Sequence, residues 1–164
     1  MKRTATVATC AAALIAAALT GCSDSTGNSS GDGYGSASSP SPSKPATIDT
    51  KSAGKLGTIL VDEKGRTLYL FLADKKNKST CAGDCAVAWP PLLSKGDAVA
   101  GKGVDEKLLD VAARSGGDEQ VTYAGHPLYY YAGDKKPGET NGEGLDQFGA
   151  AWYVLDAKGK QVTG

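Results

Sequence analysis

The sequence has little histidine and little methionine: one of each, and the methionine is the first residue. That scarcity excludes a multi-histidine zinc site and a methionine-rich copper site. It has no surplus of charge either. Its 18 Lys+Arg balance 18 Asp+Glu, and the pI lies near 6.6. A nucleic-acid partner would need a basic footprint, and none is present. With a single histidine and no serine on a strand-to-helix elbow, a Ser-His-Asp hydrolase lacks its parts. No phosphate loop or dinucleotide fingerprint occurs. No catalytic set emerges, and no cofactor is implied. What the chain does have is 22 glycines, 11 aromatic residues, four cysteines and room for one small domain in 164 residues.

The first segment reads as an address. Lys2 and Arg3 precede an apolar run from Ala5 to Leu19. About 15 such residues are short for a bilayer span of roughly 30 Å but suit a signal peptide. The run ends in Leu19-Thr20-Gly21-Cys22, which resembles the bacterial lipobox. That resemblance implies cleavage after residue 21 and a diacylglyceryl thioether on Cys22. Two or three acyl chains make anchoring durable, whereas one binds only marginally. Cleavage also removes Cys10 and two basic residues, leaving 16 Lys+Arg against 18 Asp+Glu, a net charge of −2. Attachment to a membrane therefore rests on lipid rather than on a basic patch, on the extracytoplasmic face.

Residues 22–48 carry the lipidated cysteine and a Ser/Gly/Pro tether whose only aromatic is Tyr34. Such a composition cannot bury enough apolar surface to offset ordering entropy, so disorder is expected. About 25 residues of this kind reach roughly 25–30 Å. Residues 49–164 hold the other ten aromatics and form the folded unit.

An internal repeat organises that unit. Gly65-Arg-Thr-Leu-Tyr69-Leu-Phe71-Leu-Ala-Asp74-Lys-Lys76 lies over Gly125-His-Pro-Leu-Tyr129-Tyr-Tyr131-Ala-Gly-Asp134-Lys-Lys136 at an offset of 60, without a gap. Both copies continue through a polar loop to a tryptophan, Trp89 and Trp152. Duplication is the simplest explanation. Repeat one spans about 53–93 and repeat two about 119–162.

The local patterns are β. Leu56–Val61 and Leu68–Leu72 flank a turn at Asp62–Gly65, Gln120–Tyr123 and Leu128–Tyr131 flank Ala124-Gly125, and Trp152–Leu155 and Lys160–Val162 flank Asp156–Gly159. Val104–Ala113, with Asp105 as cap, predicts a short helix between the copies. The expected fold is mainly β: two related antiparallel β-hairpin repeats packed as one small domain.

These residues resemble the bacterial lipoproteins built from a "secreted repeat of unknown function", marked by Tyr-x-aromatic-x-x-Asp. The likeness runs through Trp89-Pro-Pro-Leu92, Gln120–Tyr129 and Gly133–Gly138, and covers nearly all of 53–160. It implies an extracytoplasmic lipoprotein and brings no reaction with it.

Four groups of residues could carry chemistry. Cys81 and Cys85, the last cysteines of the mature chain, form a disulfide by default in an oxidising exterior. A redox-active pair, or a metal site joined by His126, is the alternative. Asp74 and Asp134 end the aromatic strands. They are placed to accept backbone N–H groups of the following turn, or, if they converge, to act as paired acids or hold a hard cation. Tyr69 with Phe71, and Tyr129 with Tyr131, share faces at period two, together with Tyr153, Trp89 and Trp152 as core or as a stacking platform for glycan or quinone rings. Tyr130 points the other way and is the better candidate for exposed contact. His126, opposite Arg66 in the alignment, reads as a surface residue. Together these features favour a non-catalytic, lipid-anchored module that binds cell-wall glycan or an envelope protein, with redox or metal handling through Cys81 and Cys85 as the alternative.

Overall fold

The structure is a computed structural model and describes residues 42–164. The expected signal peptide, the expected lipid site Cys22 and most of the expected tether lie outside the described residues. Ten strands and one helix follow in order. They are β1 (Thr47–Ser52), β2 (Thr58–Asp62), β3 (Tyr69–Phe71), α1 (Asp84–Ala88), β4 (Leu93–Ser94) and β5 (Val99–Ala100), then β6 (Leu109–Ala113), β7 (Glu119–Tyr123), β8 (His126–Pro127), β9 (Asp146–Gln147) and β10 (Ala150–Val154).

The fold is mainly β, and all pairings between these strands except the short parallel contact of β1 with β5 are antiparallel. Three small sheets run β2-β1-β5, β3-β10-β9 and β4-β7-β6, with β8 on β7. Backbone bonds stitch them together: Leu60 N–H donates to Leu155 O at 2.9 Å, and Tyr130 N–H to Pro90 O at 2.8 Å.

β1 begins at Thr47, inside the stretch expected as tether, because Ile48 is fully buried and five register pairs join β1 to β2. The segment expected as a helix divides. Asp105 does cap, accepting from Lys107 N–H at 3.0 Å, but only a single 3-10 turn, Glu106–Leu108. From Leu109 the chain becomes β6, paired at five positions with β7. Short isolated helices are marginal, and a ready strand partner outweighs local propensity. Among the described residues the one α-helix, α1, falls instead inside repeat one, in a polar loop with weak periodicity.

Period-two alternation splits the apolar residues between two cores. Ile59, Val61, Tyr69, Phe71, Trp89, Tyr129, Trp152 and Val154 form one. Ile48, Leu60, Leu68, Leu70, Leu92, Val121, Tyr123, Leu128 and Leu155 form the other. Each core draws on both copies, so the repeats interleave instead of forming separate lobes.

Two Asp-x-Lys-Gly turns are built alike. Asp62 Oδ1 accepts from Lys64 and Arg66 N–H at 3.0 and 2.9 Å; Asp156 Oδ1 accepts from Lys158 and Lys160 N–H at 2.8 and 2.9 Å. Gly65 and Gly159 both sit at φ 76°, where a side chain is strained.

Candidate functional site

The Tyr-x-aromatic-x-x-Asp motif works across the copies. Tyr69 and Tyr129 face each other and exchange both backbone bonds, N–H to O, at 2.9 and 3.0 Å. Equivalent residues paired in this way define a local pseudo-twofold. The side chains obey it too. Tyr69 Oη donates to Asp134 Oδ2 at 2.6 Å, and Tyr129 Oη donates to Asp74 Oδ2 at 2.6 Å. Each tyrosine of one copy is thus latched to the aspartate of the other. The second oxygen of each aspartate ties down its own following loop: Thr80 N–H to Asp74 Oδ1 at 2.7 Å, Asn141 N–H to Asp134 Oδ1 at 2.9 Å.

Both tyrosines are fully buried. Burial first, and then the neighbouring carboxylate, push both phenols far above the ordinary tyrosine range. They remain neutral donors. Burial also raises Asp134, against the pull of the Tyr69 bond.

Beneath the latch the two tryptophans stack, with ring centroids 3.9 Å apart and planes within 5°. Phe71 extends the stack on Trp152 at 4.1 Å, and Tyr131 closes the Trp89 side at 4.3 Å. Gln147 clips both indoles: Trp89 Nε1 donates to its Oε1 and Trp152 Nε1 to its backbone O, each at 3.0 Å. The rings chosen for a stacking platform are therefore mostly core. Tyr153 is the exception, packing against the second core.

Cys81 and Cys85 form a disulfide, with residual exposures of 1% and 6%. It braces the first turn of α1, whose far end delivers Trp89 to the stack. Arg114, from the β6–β7 turn, holds the same loop by donating to Cys81 O and Ser79 Oγ, both at 2.7 Å. Such burial suits a structural bond. Among the described residues no group of three or more His, Cys, Asp or Glu gathers as a metal site.

The accessible chemistry lies elsewhere, around Tyr130. A cavity of about 350 Å³ is lined by Lys64, Arg66, Lys135 and Lys136, with Tyr130, Tyr131, Pro90 and Pro137 among its apolar walls and Asp134 at its edge. Further depressions beside Tyr130 and Arg66 continue it toward Pro42 and Leu92. The Arg66 guanidinium lies 3.9 Å from the Tyr130 ring centroid, pairs with Asp62 Oδ2 at 2.7 Å and donates to Tyr130 Oη at 2.8 Å. Tyr130 in turn donates to Asp62 Oδ2 at 3.1 Å. Burial and the Asp62 charge raise the Tyr130 phenol well above its usual value. This triad fixes the groove floor.

A family model described as a secreted repeat of unknown function matches residues 50–93 and 110–156. The chain belongs to that family. No curated protein and no solved structure matches it.

Seen as a secreted repeat, the molecule sorts its motif residues cleanly. Tyr69, Phe71, Asp74, Tyr129, Asp134, Trp89 and Trp152 hold the copies together, and Tyr131 serves both stack and groove. Asp74 and Asp134 each bond the opposite tyrosine, so the structure gives them a bracing role. Sequence reasoning missed Gln147 and Arg114, whose partners are 58 and 33 residues away. It also missed Lys64 and Lys136 as lining residues; the signal for the groove was Tyr130, pointing away from its neighbours. Among the described residues no helix is long and apolar enough to cross a membrane.

Proposed function

We propose that this secreted repeat is a lipid-anchored, extracytoplasmic binding module that recognises an envelope component without transforming it. Cys22 carries the lipid, the Ser/Gly/Pro tether sets the reach, and the groove around Tyr130 receives the ligand. The observation that carries this reading is a preformed cavity of about 350 Å³ whose proline and Tyr130 walls and lysine lining lie outside the Tyr–Asp latch and the aromatic stack. Cavities of about 300–1,000 Å³ with a few placed polar groups are the usual form of ligand sites. The motif's own carboxylates are occupied by hydrogen bonds, which supports recognition over acid–base chemistry.

Two measurements test it. Full-length lipoprotein is recovered from membranes and its N-terminal peptide weighed: a diacylglyceryl modification on Cys22 after loss of residues 1–21 is expected, and an unprocessed terminus overturns the anchor. The folded domain is then passed over purified cell wall and envelope extract. Retention that falls when Lys64 and Lys136 are changed to Glu supports the groove, and no retained partner under any condition refutes the binding reading.

A further inference from the structure

Internal duplication supplies a control within one chain. Where the two copies agree, the shared residues build the latch and the stack. At the groove they disagree. Tyr130 stands opposite Leu70, which is buried at 1% exposure, and Arg66 opposite His126, at the offset of 60; one strand earlier, the bonds from Leu68 N–H to Leu60 O and from Leu128 N–H to Val121 O set Asp62 opposite Tyr123. Tyr123 donates its hydroxyl to Ala157 O at 2.9 Å, whereas Asp62 uses both oxygens to hold the Arg66–Tyr130 pair and its turn. The backbone frames remain alike: Gly138 N–H donates to Gly65 O at 2.9 Å, and Asn77 N–H donates to Gly125 O at 2.8 Å. The side chains over those frames differ. Lys76 lies across the second hairpin, its Cγ 2.9 Å from where a Cβ on Gly125 would stand. At Gly65 the nearest atoms, Lys51 Nζ and Pro137 Cβ, lie at ordinary contact distances of 3.5 and 3.6 Å. One hairpin is crowded by a lysine of the other copy, and beside the other lies the aromatic, basic groove.

The divergent set has a chemical character. Its walls are flat and apolar, from Pro90, Pro137, Tyr130 and Tyr131, which suits the C–H face of a ring. Its charged lining is Lys64, Arg66, Lys135 and Lys136 against the single carboxylate of Asp134. Arg66 is neutralised by Asp62, and Asp134 is engaged by Tyr69. Lys135 Nζ donates to Ala132 O at 2.6 Å, and Lys64 and Lys136 are exposed, with no side-chain hydrogen bond among the described residues. An uncharged ring would leave these cations without a counter-charge, and a bare anion would leave the apolar walls uncovered.

We infer that the groove binds an anionic sugar, a saccharide ring bearing a phosphate or carboxylate, with the ring on the proline and tyrosine walls and the anion between Lys64 and Lys136. This rests on the binding-module reading above and narrows its ligand class. The same chemistry could come from a phosphorylated wall polymer or from a glycosylated or inositol lipid headgroup.

The test uses the domain with its groove intact and follows amide shifts by NMR during titration. The probes are glucose 1-phosphate and glucuronate, with glucose and inorganic phosphate as controls. The expected result is saturable shifts at Tyr130, Tyr131 and Lys136 with both anionic sugars, affinity falling with salt, and weaker or no response to either control. Lys64→Glu with Lys136→Glu should weaken binding about tenfold or more, the scale of one lost charge-assisted contact. Lys158→Glu, an exposed charge reversal outside the groove, should leave it unchanged. Equal response to glucose and glucose 1-phosphate, or an effect of Lys158→Glu as large as the groove pair, overturns the inference. Sedimentation with phosphatidylinositol vesicles against binding to purified wall then distinguishes the two sources. If anionic sugars fail while retention on envelope extract still depends on Lys64 and Lys136, the ligand class is wrong and the binding module stands. If retention fails as well, both fall.

Discussion

At the residue scale, Gly142 shows how little slack the aromatic centre has. A Cβ there would lie 2.7 Å from Trp89 Cη2 and 3.0 Å from Tyr69 Cε1, both held by the stack and the latch. Overpacking of this kind costs about 1–3 kcal/mol. Gly142→Ala should lower stability by that amount in urea denaturation, with near-ultraviolet circular dichroism reporting the disturbed tryptophans. His126 makes a second prediction. Burial lowers its pKa below the ordinary value of 6.5, against the pull of Asp74. The unfolded chain therefore binds the proton more readily. The stabilising neutral form is fully present above pH ~6.5 and its contribution is lost as pH falls through the lower, folded-state pKa. As the single histidine, its C2 proton is directly assignable, and its NMR titration should midpoint below 6.5. His126→Gln should flatten the stability profile between about pH 5 and 7.

At the scale of elements, the Cys81–Cys85 bridge and α1 act together. Five residues of helix are too few to be stable alone. The bridge, the Arg114 bonds and the Trp89 stack hold this turn in place. Closing so short a loop contributes about 2 kcal/mol by restricting the unfolded chain. Cys81→Ser with Cys85→Ser should lose about that much, and α1 should exchange its amide protons sooner than β7 under native conditions. A larger loss that also abolishes envelope retention would mean the bridge does more than brace. Strand β6 teaches the complementary lesson. Its residues belong to the segment read as a helix capped by Asp105, and β7 redirects them by offering five paired positions.

At the scale of the whole molecule, the two latches decide whether the copies stay interleaved. Removing one hydroxyl leaves an aspartate oxygen without its strongest partner, at about 1.5–3 kcal/mol for a bond to a charged group. Tyr69→Phe and Tyr129→Phe should each destabilise by about that much, since each hydroxyl also has a second partner: Gly142 N–H at 3.3 Å for Tyr69 and Ser79 Oγ at 2.6 Å for Tyr129. Chemical denaturation of both variants checks it. If only one variant loses stability, the two bonds are not equivalent.

The sequence alone determined the β class, the duplication and the hairpin turns, because alternation, glycine and aspartate act over a few residues. It also marked Tyr130 as the odd ring out by simple period-two counting. Only the tertiary structure decided that Tyr69 answers to Asp134 and Tyr129 to Asp74, across 65 and 55 residues of chain. It likewise decided that Gln147 reads both tryptophans, and that the lysines of two distant turns line one groove. Such pairings depend on which surfaces meet when the copies interleave, and no local pattern carries that information.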